Sequence, residues 1–373
     1  MKIILKRKEV IRSFANIQGI VEKNNIIPIL SNVLLEAKAD ILSLYATNLR
    51  VSFLDECPAI TEKEGSIALD SKKIFEIIKE SPGEDITIEK KENNRVKISS
   101  EKVVYTLAGN NPLEFPEKIK MREREPSKIT TTKLNEMIRK TLFAVAEDES
   151  KGSMGGILWE VLDGKEKGLR MVATDAHRLS CIERREGEGE EFKKELHGVI
   201  LPKKGVQELR KLLEEAGAQT IGVWKEEGNL LIKKDRTILA IRLIEGEFPD
   251  YKRVLAFQGE DKIKLRTLQT IDALRRVSIV LEEKLRSIKI LLSPGAMGVV
   301  AYGGETGEAR EDIEVEYNGS EREICLNLKY LWDSLNCLDD ETFLLEIRGA
   351  KEPVRILPEK DSDHILVVMP MVF

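Results

Sequence analysis

MKIIL at residues 1–5, running directly into KRKEVIRSFANIQGIV at 6–21, is a short alternating strand followed by an amphipathic helix. The same pair is written twice more. SKITTT (127–132) leads into KLNEMIRKTLFAVA (133–146), and DKIKLR (261–266) into TLQTIDALRRVSIVL (267–281). Apolar residues recur at helical spacing in each: Val10, Phe14, Ile17 and Val21; Leu134, Met137, Ile138 and Leu142; Leu268, Ile271, Leu274 and Val277. Each set predicts a buried face opposite a polar one. A repeat of about 130 residues indicates three copies of one fold unit, in which assembly shape carries function.

A second helix follows in each copy: IALDSKKIFEIIKE (67–80), GVILPKKGVQELRKLLEE (198–215) and EICLNLKYLWDSLNCL (323–338). Each begins as a short strand and reaches a turn or cap candidate, at Asp70-Ser71, Pro202 and Asn327. The first two copies close alike, VVYTLAGNNPLEFP (103–116) and ILAIRLIEGEFPDY (238–251) both reaching Phe-Pro; the third closes with PVRILPEKDSDHILVVMPMVF (353–373). Runs such as PILSNVLLEA (28–37), GGILWEVL (155–162) and IKILLSPGAMGVVAYG (288–303) are strand-like between Gly, Asn and Pro. Charged linkers fit near 117–129 and 252–262. The fold class is α+β, each copy two helices on antiparallel sheets, with domains at 1–125, 126–253 and 254–373.

Composition bounds the function. The 373 residues are 42% hydrophobic and 34% charged, which excludes disorder and describes a strongly solvated surface. A net charge of -5 argues against a uniformly basic coat but permits a local basic surface. Cys57, Cys181, Cys325 and Cys337 lie far apart with no CxxC, which fits reduced thiols in a cytoplasmic protein. No apolar run approaches the roughly 18 residues of a membrane span.

The helices are nonetheless basic on their polar faces. The first helices carry Lys6, Arg7, Lys8 and Arg12; Lys133, Arg139 and Lys140; Arg275 and Arg276. The second helices carry Lys72, Lys73 and Lys79; Lys203, Lys204, Arg210 and Lys211; Lys329. One basic helix is a solvated face. Recurrence on all six points to a shared surface that attracts a phosphate backbone without reading sequence. Few aromatics accompany these positions, so duplex fits better than stacked single strands.

Catalytic patterns are thin. Asp175, His177, Arg178 and Ser180 share one strand-turn, ATDAHRLS, without a GxSxG elbow; a polar turn with satisfied hydrogen bonds is the plainer reading. KGSMGG (151–156) lacks P-loop spacing, and no metal-ligand pattern occurs, so no cofactor is expected. Residues 305–323 hold eight acidic residues against two arginines, a solvated surface or a charge-complementary interface patch. An enzyme using Asp175, His177 and Arg178, or a scaffold that binds no DNA, remain the alternatives.

The three-copy layout, IPILSNVLLE (27–36), MVATDAHRLS (171–180), EGEFPDYKRVL (245–255) and VVMPM (367–371), taken together and in this order, resemble the bacterial DNA polymerase III β subunit, the sliding-clamp family. The resemblance covers the whole chain. It implies a non-enzymatic processivity factor, a head-to-tail homodimeric ring threaded by duplex DNA. It also implies a groove between the second and third domains for short, apolar-ended motifs of the replicative polymerase, clamp loader, repair polymerases and mismatch-repair proteins. Matching groove positions are Met154, Thr174, His177, Arg178, Leu179, Pro249, Arg253, Val254, Val367, Val368, Met369, Pro370 and Met371. Arg178 and Arg253 are expected at its rim. Matching interface positions are Tyr105 and Leu107 in the first domain and Ile279, Val280 and Leu285 in the third, with Lys72 and Lys73 opposite Glu308, Glu311 and Glu314. The chain departs from the pattern at Val372-Phe373, where many clamps place Arg then Leu, and at Asn24-Asn25 and Gly152-Ser153, leaving Lys151 as the basic candidate in the latter loop.

Overall fold

Six strand-to-helix joints organise the chain, each helix beginning at the residue after a strand ends. α1 (Arg7–Ile20) follows Lys2–Lys6, α2 (Ser71–Glu80) follows Gly65–Asp70, and α3 (Thr131–Thr141) follows Ser127–Thr130. α4 (Lys203–Glu214) follows Val199–Pro202; after a short α5 (Lys252–Leu255), α6 (Thr267–Val277) follows Asp261–Arg266 and α7 (Leu328–Asn336) follows Arg322–Asn327. The computed structural model describes all residues except 22–26, 120, 123, 165, 215–216, 283–286, 305–306 and 372–373.

The joints are chemically alike. The first helical N–H of α1, α3 and α6 has no intrahelical acceptor. In each case a neighbouring carbonyl supplies one at 2.8 Å: Glu84, Gln219 and Glu341 respectively. Side chains cap two second helices, Asp70 accepting from Lys73 N at 2.8 Å and Asn327 from Lys329 N at 2.9 Å. Such a cap is worth about 1 kcal/mol.

By contacts the chain forms two compact units. The first comprises Met1–Thr132, Glu188–Leu196 and Lys204–Leu243. It holds a five-stranded antiparallel sheet ordered 60–63, 2–6, 85–90, 95–100, 103–108, and an eight-stranded sheet ordered 127–130, 220–226, 229–234, 237–242, 51–58, 41–47, 32–38, 65–70. The second comprises Lys133–Gly187, His197–Lys203 and Ile244–Phe373. Its eight-stranded sheet runs 199–202, 156–162, 168–174, 178–185, 364–368, 354–358, 342–347, 261–266, and its four-stranded sheet 308–314, 296–302, 287–293, 322–327.

The α+β expectation holds, with local corrections to the helix faces. In α1 the last buried position is Ile20, and Val21 is the cap beyond it. Leu142 lies in a 3₁₀ turn after α3. Leu268, expected in the core of α6, is 75% exposed. The buried face is instead Thr267, Thr270, Ala273, Leu274 and Val277. The threonines can be buried because their hydroxyls donate to Asp340 O (2.7 Å) and Arg266 O (2.9 Å). All four cysteines are free thiols. No helix among the described residues is long and apolar enough to cross a membrane.

Candidate functional site

In the second unit, strand Arg178–Arg185 pairs with His364–Val368, Arg178 opposite Val368 and Leu179 opposite Val367. Side chains alternate across such a ladder, so its two faces serve different ends. Leu179 and Val367 belong to a small apolar cluster with Leu158, Val172, Cys181, Ile200 and Tyr251. Leu179, Val367 and Tyr251 of this cluster line a cavity of about 140 Å³, whose walls include Met154, Thr174, Pro249, Val254 and Met369. That is well below the roughly 300–1,000 Å³ of a drug-sized site. It suits a single apolar anchor from a peptide, with Met supplying adaptable walls.

The turn Thr174–Arg178 frames one end. Asp175 Oδ1 accepts from His177 N (2.9 Å) and Arg178 N (3.0 Å), while Thr174 Oγ1 donates to Arg178 O (2.7 Å). Ala176 takes a φ of 76° at its apex. The Asp175–His177–Arg178 group is thus a satisfied polar turn, in which the Asp175 carboxylate holds two backbone N–H groups and the Arg178 guanidinium rather than a nucleophile. His177 stacks on Tyr330 at 6.0 Å, and its carbonyl accepts from Met369 N at 2.8 Å, tying the tail to the turn.

Of the expected groove residues, Met154, Thr174, Arg178, Leu179, Pro249, Val254, Val367 and Met369 line this cavity. Val368 does not: it is buried in the larger core cluster on the opposite face of the strand, as alternation requires. Arg178 lines the cavity but is no open rim cation. Its guanidinium is buried, pairs with Asp175 (3.0 Å) and Asp333 (2.6 Å), and lies 4.7 Å over the Tyr330 ring. Arg253 is the exposed one, paired with Asp250 at 2.9 Å. His177, Pro370 and Met371 lie outside the cavity lining, and Met371 N donates to Cys325 O at 2.8 Å. Sequence reasoning missed Ala176, Asp250 and Tyr251 as lining residues. Tyr251 stands in the quoted EGEFPDYKRVL run, where an aromatic between Pro249 and Val254 was the available signal.

The basic helix positions divide by burial. Lys140, expected on the polar face of α3, is 3% exposed. Its ammonium meets Asp361 (2.8 Å), Glu136 (3.1 Å) and Asp339 (3.2 Å). Burial alone would raise the Asp361 carboxyl, but Arg184 and Lys140 outweigh it and hold it at about 2. Arg139 binds Asp339 at 2.6 Å. Arg7 caps the end of α2, donating to Ile78 O (2.9 Å) and Lys79 O (2.5 Å), where the helix dipole favours a cation.

Other pairs have exposed cations, among them Lys6–Asp85 (2.7 Å), Lys8–Glu84 (3.6 Å), Lys72–Glu76 (4.0 Å), Arg210–Glu214 (2.7 Å), Arg275–Asp272 (2.7 Å) and Arg276–Glu311 (2.5 Å). Solvent screens such exposed pairs, so a phosphate displaces them cheaply. Arg12, Lys72 and Lys73 are exposed, and Lys133, Lys203 and Lys204 are half-buried. Lys151 Nζ donates to Asp175 O (3.4 Å), which places it beside the cavity's turn.

Tyr105 and Leu107 are half-buried on strand Val103–Ala108, the last of its sheet. Ile279 is 80% exposed, and Val280 packs against the core. Leu285, Asn24-Asn25 and Val372-Phe373 lie outside the described residues. Among the described residues no acidic, His and Cys cluster could hold a metal.

Three family models match in order: the DNA polymerase III beta subunit N-terminal domain over 1–119, central domain over 128–250 and C-terminal domain over 252–372. The chain is 31% identical to the beta sliding clamp of Caulobacter vibrioides and 30% to that of Pseudomonas aeruginosa, each over the full length of both chains. Among solved structures it resembles the Caulobacter crescentus pol III beta (TM-score 0.94, 29% identity, full coverage of both). It also resembles a Bartonella birtlesii sliding clamp bound to griselimycin (TM-score 0.94, 26% identity, full coverage of both). A threefold α+β repeat matched end to end defines a clamp protein. The chain belongs to the DNA polymerase III β subunit family: it is a sliding clamp, a processivity factor of that polymerase rather than an enzyme.

Proposed function

We propose that two copies associate head to tail into a closed ring around duplex DNA. Each would hold a partner's apolar-ended peptide in the cavity floored by Leu179 and Val367. The observation that carries the ring is the repeat of one strand pairing within the chain. Strand 237–242 pairs with 51–58, Leu239 facing Phe53; strand 364–368 pairs with 178–185, Leu366 facing Ser180. Counted from the helix starts through the ladders, Leu239, Leu366 and Tyr105 are equivalent positions, as are Phe53, Ser180 and Ala309.

Both existing joints therefore share one register. The strands that would make the third joint, Val103–Ala108 and Glu308–Glu314, each end a sheet. Pairing them between copies sets Tyr105 against Ala309 of a second copy and removes two open edges. The domains are 1–125, 126–253 and 254–373. Exposed and half-buried cations of the helices, Lys6, Lys8, Arg12, Lys72, Lys73, Lys133, Lys203, Lys204, Arg210, Arg275 and Arg276, serve the phosphate backbone without sequence preference. The protein works in the cytoplasm with the replicative polymerase, clamp loader and repair proteins as partners.

The test is solution mass together with retention on DNA. A particle of about twice 42.3 kDa that stays on closed circular duplex after loading, and leaves when the circle is cut, is the expected result. Equal loss from circles and linear duplex would refute topological linkage.

A further inference from the structure

The chain carries the docking corner twice, once open and once filled. Asn32 faces Asp70, the residue before α2, and Gly156 faces Pro202, the residue before α4. Four residues further along each strand come Glu36 and Glu160, whose cross-strand neighbours are Ser43 and Arg170. The Phe-Pro corners at Phe115 and Phe248 then bring Lys118 and Tyr251, each the third residue after the Phe, onto these carboxylates. Lys118 donates to Glu36 and to Ser43 Oγ (3.0 Å). The Tyr251 hydroxyl donates to Glu160 and accepts from Arg170 Nη1 (3.1 Å). Arg170 is itself held by Glu183 (2.6 Å), its partner in the next strand.

The spaces beside the two pins differ. Next to Lys118, with Ile119 and Met121 against Ser52 and Ala240, about 20 Å³ remains. Next to Tyr251, with Val254 against the equivalent Leu179 and Val367, about 140 Å³ is open. Tyr251 gives its ring to the cavity while its hydroxyl reaches the ion pair behind.

We infer that Tyr251 is a positioning residue of the groove, pinned through Glu160 and Arg170 so that the wall Pro249–Val254 stands clear of Leu179 and Val367. This rests on the peptide-groove reading above. Removing the hydroxyl leaves the ring but frees the wall to move into the space. A partly buried, charge-assisted hydrogen bond of this kind is strong enough to order a short segment.

The experiment follows a fluorescein-labelled synthetic peptide ending in Leu-Phe on the dimeric full chain. Tyr251→Phe and Glu160→Ala are each expected to weaken binding about tenfold, through faster dissociation. The double variant should be no weaker than the worse single one, because both break one pin. Tyr317→Phe removes a buried hydroxyl's bond to Ser320 O elsewhere in the same unit and should leave affinity unchanged. Val254→Asp tests the groove itself. If it abolishes binding while Tyr251→Phe binds as the unaltered protein does, the pin is refuted and the groove stands. If Val254→Asp binds normally, the groove reading falls. Equal loss in Tyr317→Phe, or additive loss in the double variant, would also overturn the inference.

Discussion

The Lys140 ammonium sits 2.8 Å from the Asp361 carboxylate, joining α3 to the turn that precedes the last strand. Arg184 contacts the same carboxylate at 2.6 Å and also binds Glu136, and Arg139 binds Asp339, so three cations and three carboxylates form one partly buried network. His364 stands beside it, fully buried, its Nε2 3.2 Å from Ser180 Oγ. The network lies at one end of the 178–185 and 364–368 ladder whose other end forms the cavity.

Acid should unfold the protein in two stages. Burial lowers His364 to about 3, so its contribution is full above the ordinary histidine value near 6.5 and is lost as pH falls toward 3. Asp361, held at about 2, contributes fully above the ordinary aspartate range and loses that contribution as pH falls from about 4 toward 2. Glu136 and Asp339 are lowered in the same sense. Thermal midpoints measured from pH 7 to 2 should fall throughout. Asp361→Asn should flatten the lower limb, and an unchanged lower limb in that variant would contradict the account.

Lys140→Ala should destabilise by about 1–3 kcal/mol, because it removes the buried cation from partly exposed carboxylates that Arg184 and Arg139 still engage. Denaturant midpoints read this directly. DNA retention of the folded variant should match the unaltered protein, since Lys140 is inaccessible to a phosphate.

Charge reversal at Arg275 and Arg276 should act oppositely. Both are exposed, and each engages one surface carboxylate. Stability should change little, because solvent screens these exposed pairs. The slope of DNA affinity against salt should fall by about one for each phosphate no longer neutralised. Unchanged salt dependence and unchanged processive synthesis would remove these residues from the DNA-facing set.

Cysteines at Val104 and Arg310 should cross-link two copies, because their equivalents Ile238 and Leu54 face each other in the intramolecular joint. Val104→Cys with Glu314→Cys, out of register by four residues, should not. A covalent dimer on a denaturing gel from the second pair alone would show another register.

Removing residues 369–373 should abolish peptide binding while leaving the dimer intact. Met369 lines the cavity, whereas Val368 ends the core strand. Retained affinity would place the docking site elsewhere.

Most of the fold was legible because strand and helix periods are local properties of the chain. The Asp70 and Asn327 caps, the polar turn at Asp175 and the strand-to-helix joints stand where spacing put them, except that Thr131 and Thr132, expected in a strand, open α3 and Lys6, expected in a helix, ends a strand. Periodicity misread Leu268 because threonines whose hydroxyls find backbone acceptors fill the buried face of α6 as well as leucine does. It misread Lys140 because the carboxylates that permit its burial lie some two hundred residues away.

The sequence by itself determined three copies of one α+β unit, their basic helices and the residues that differ between them. Only the tertiary structure decided which of those residues share a surface. Alternation across one ladder sends Val367 to the cavity and Val368 to the core. Equivalent carboxylates hold Lys118 at a filled corner and Tyr251 at an open one. Backbone periodicity acts between neighbours in sequence, whereas burial, ion pairing and cavity volume depend on which distant segments meet.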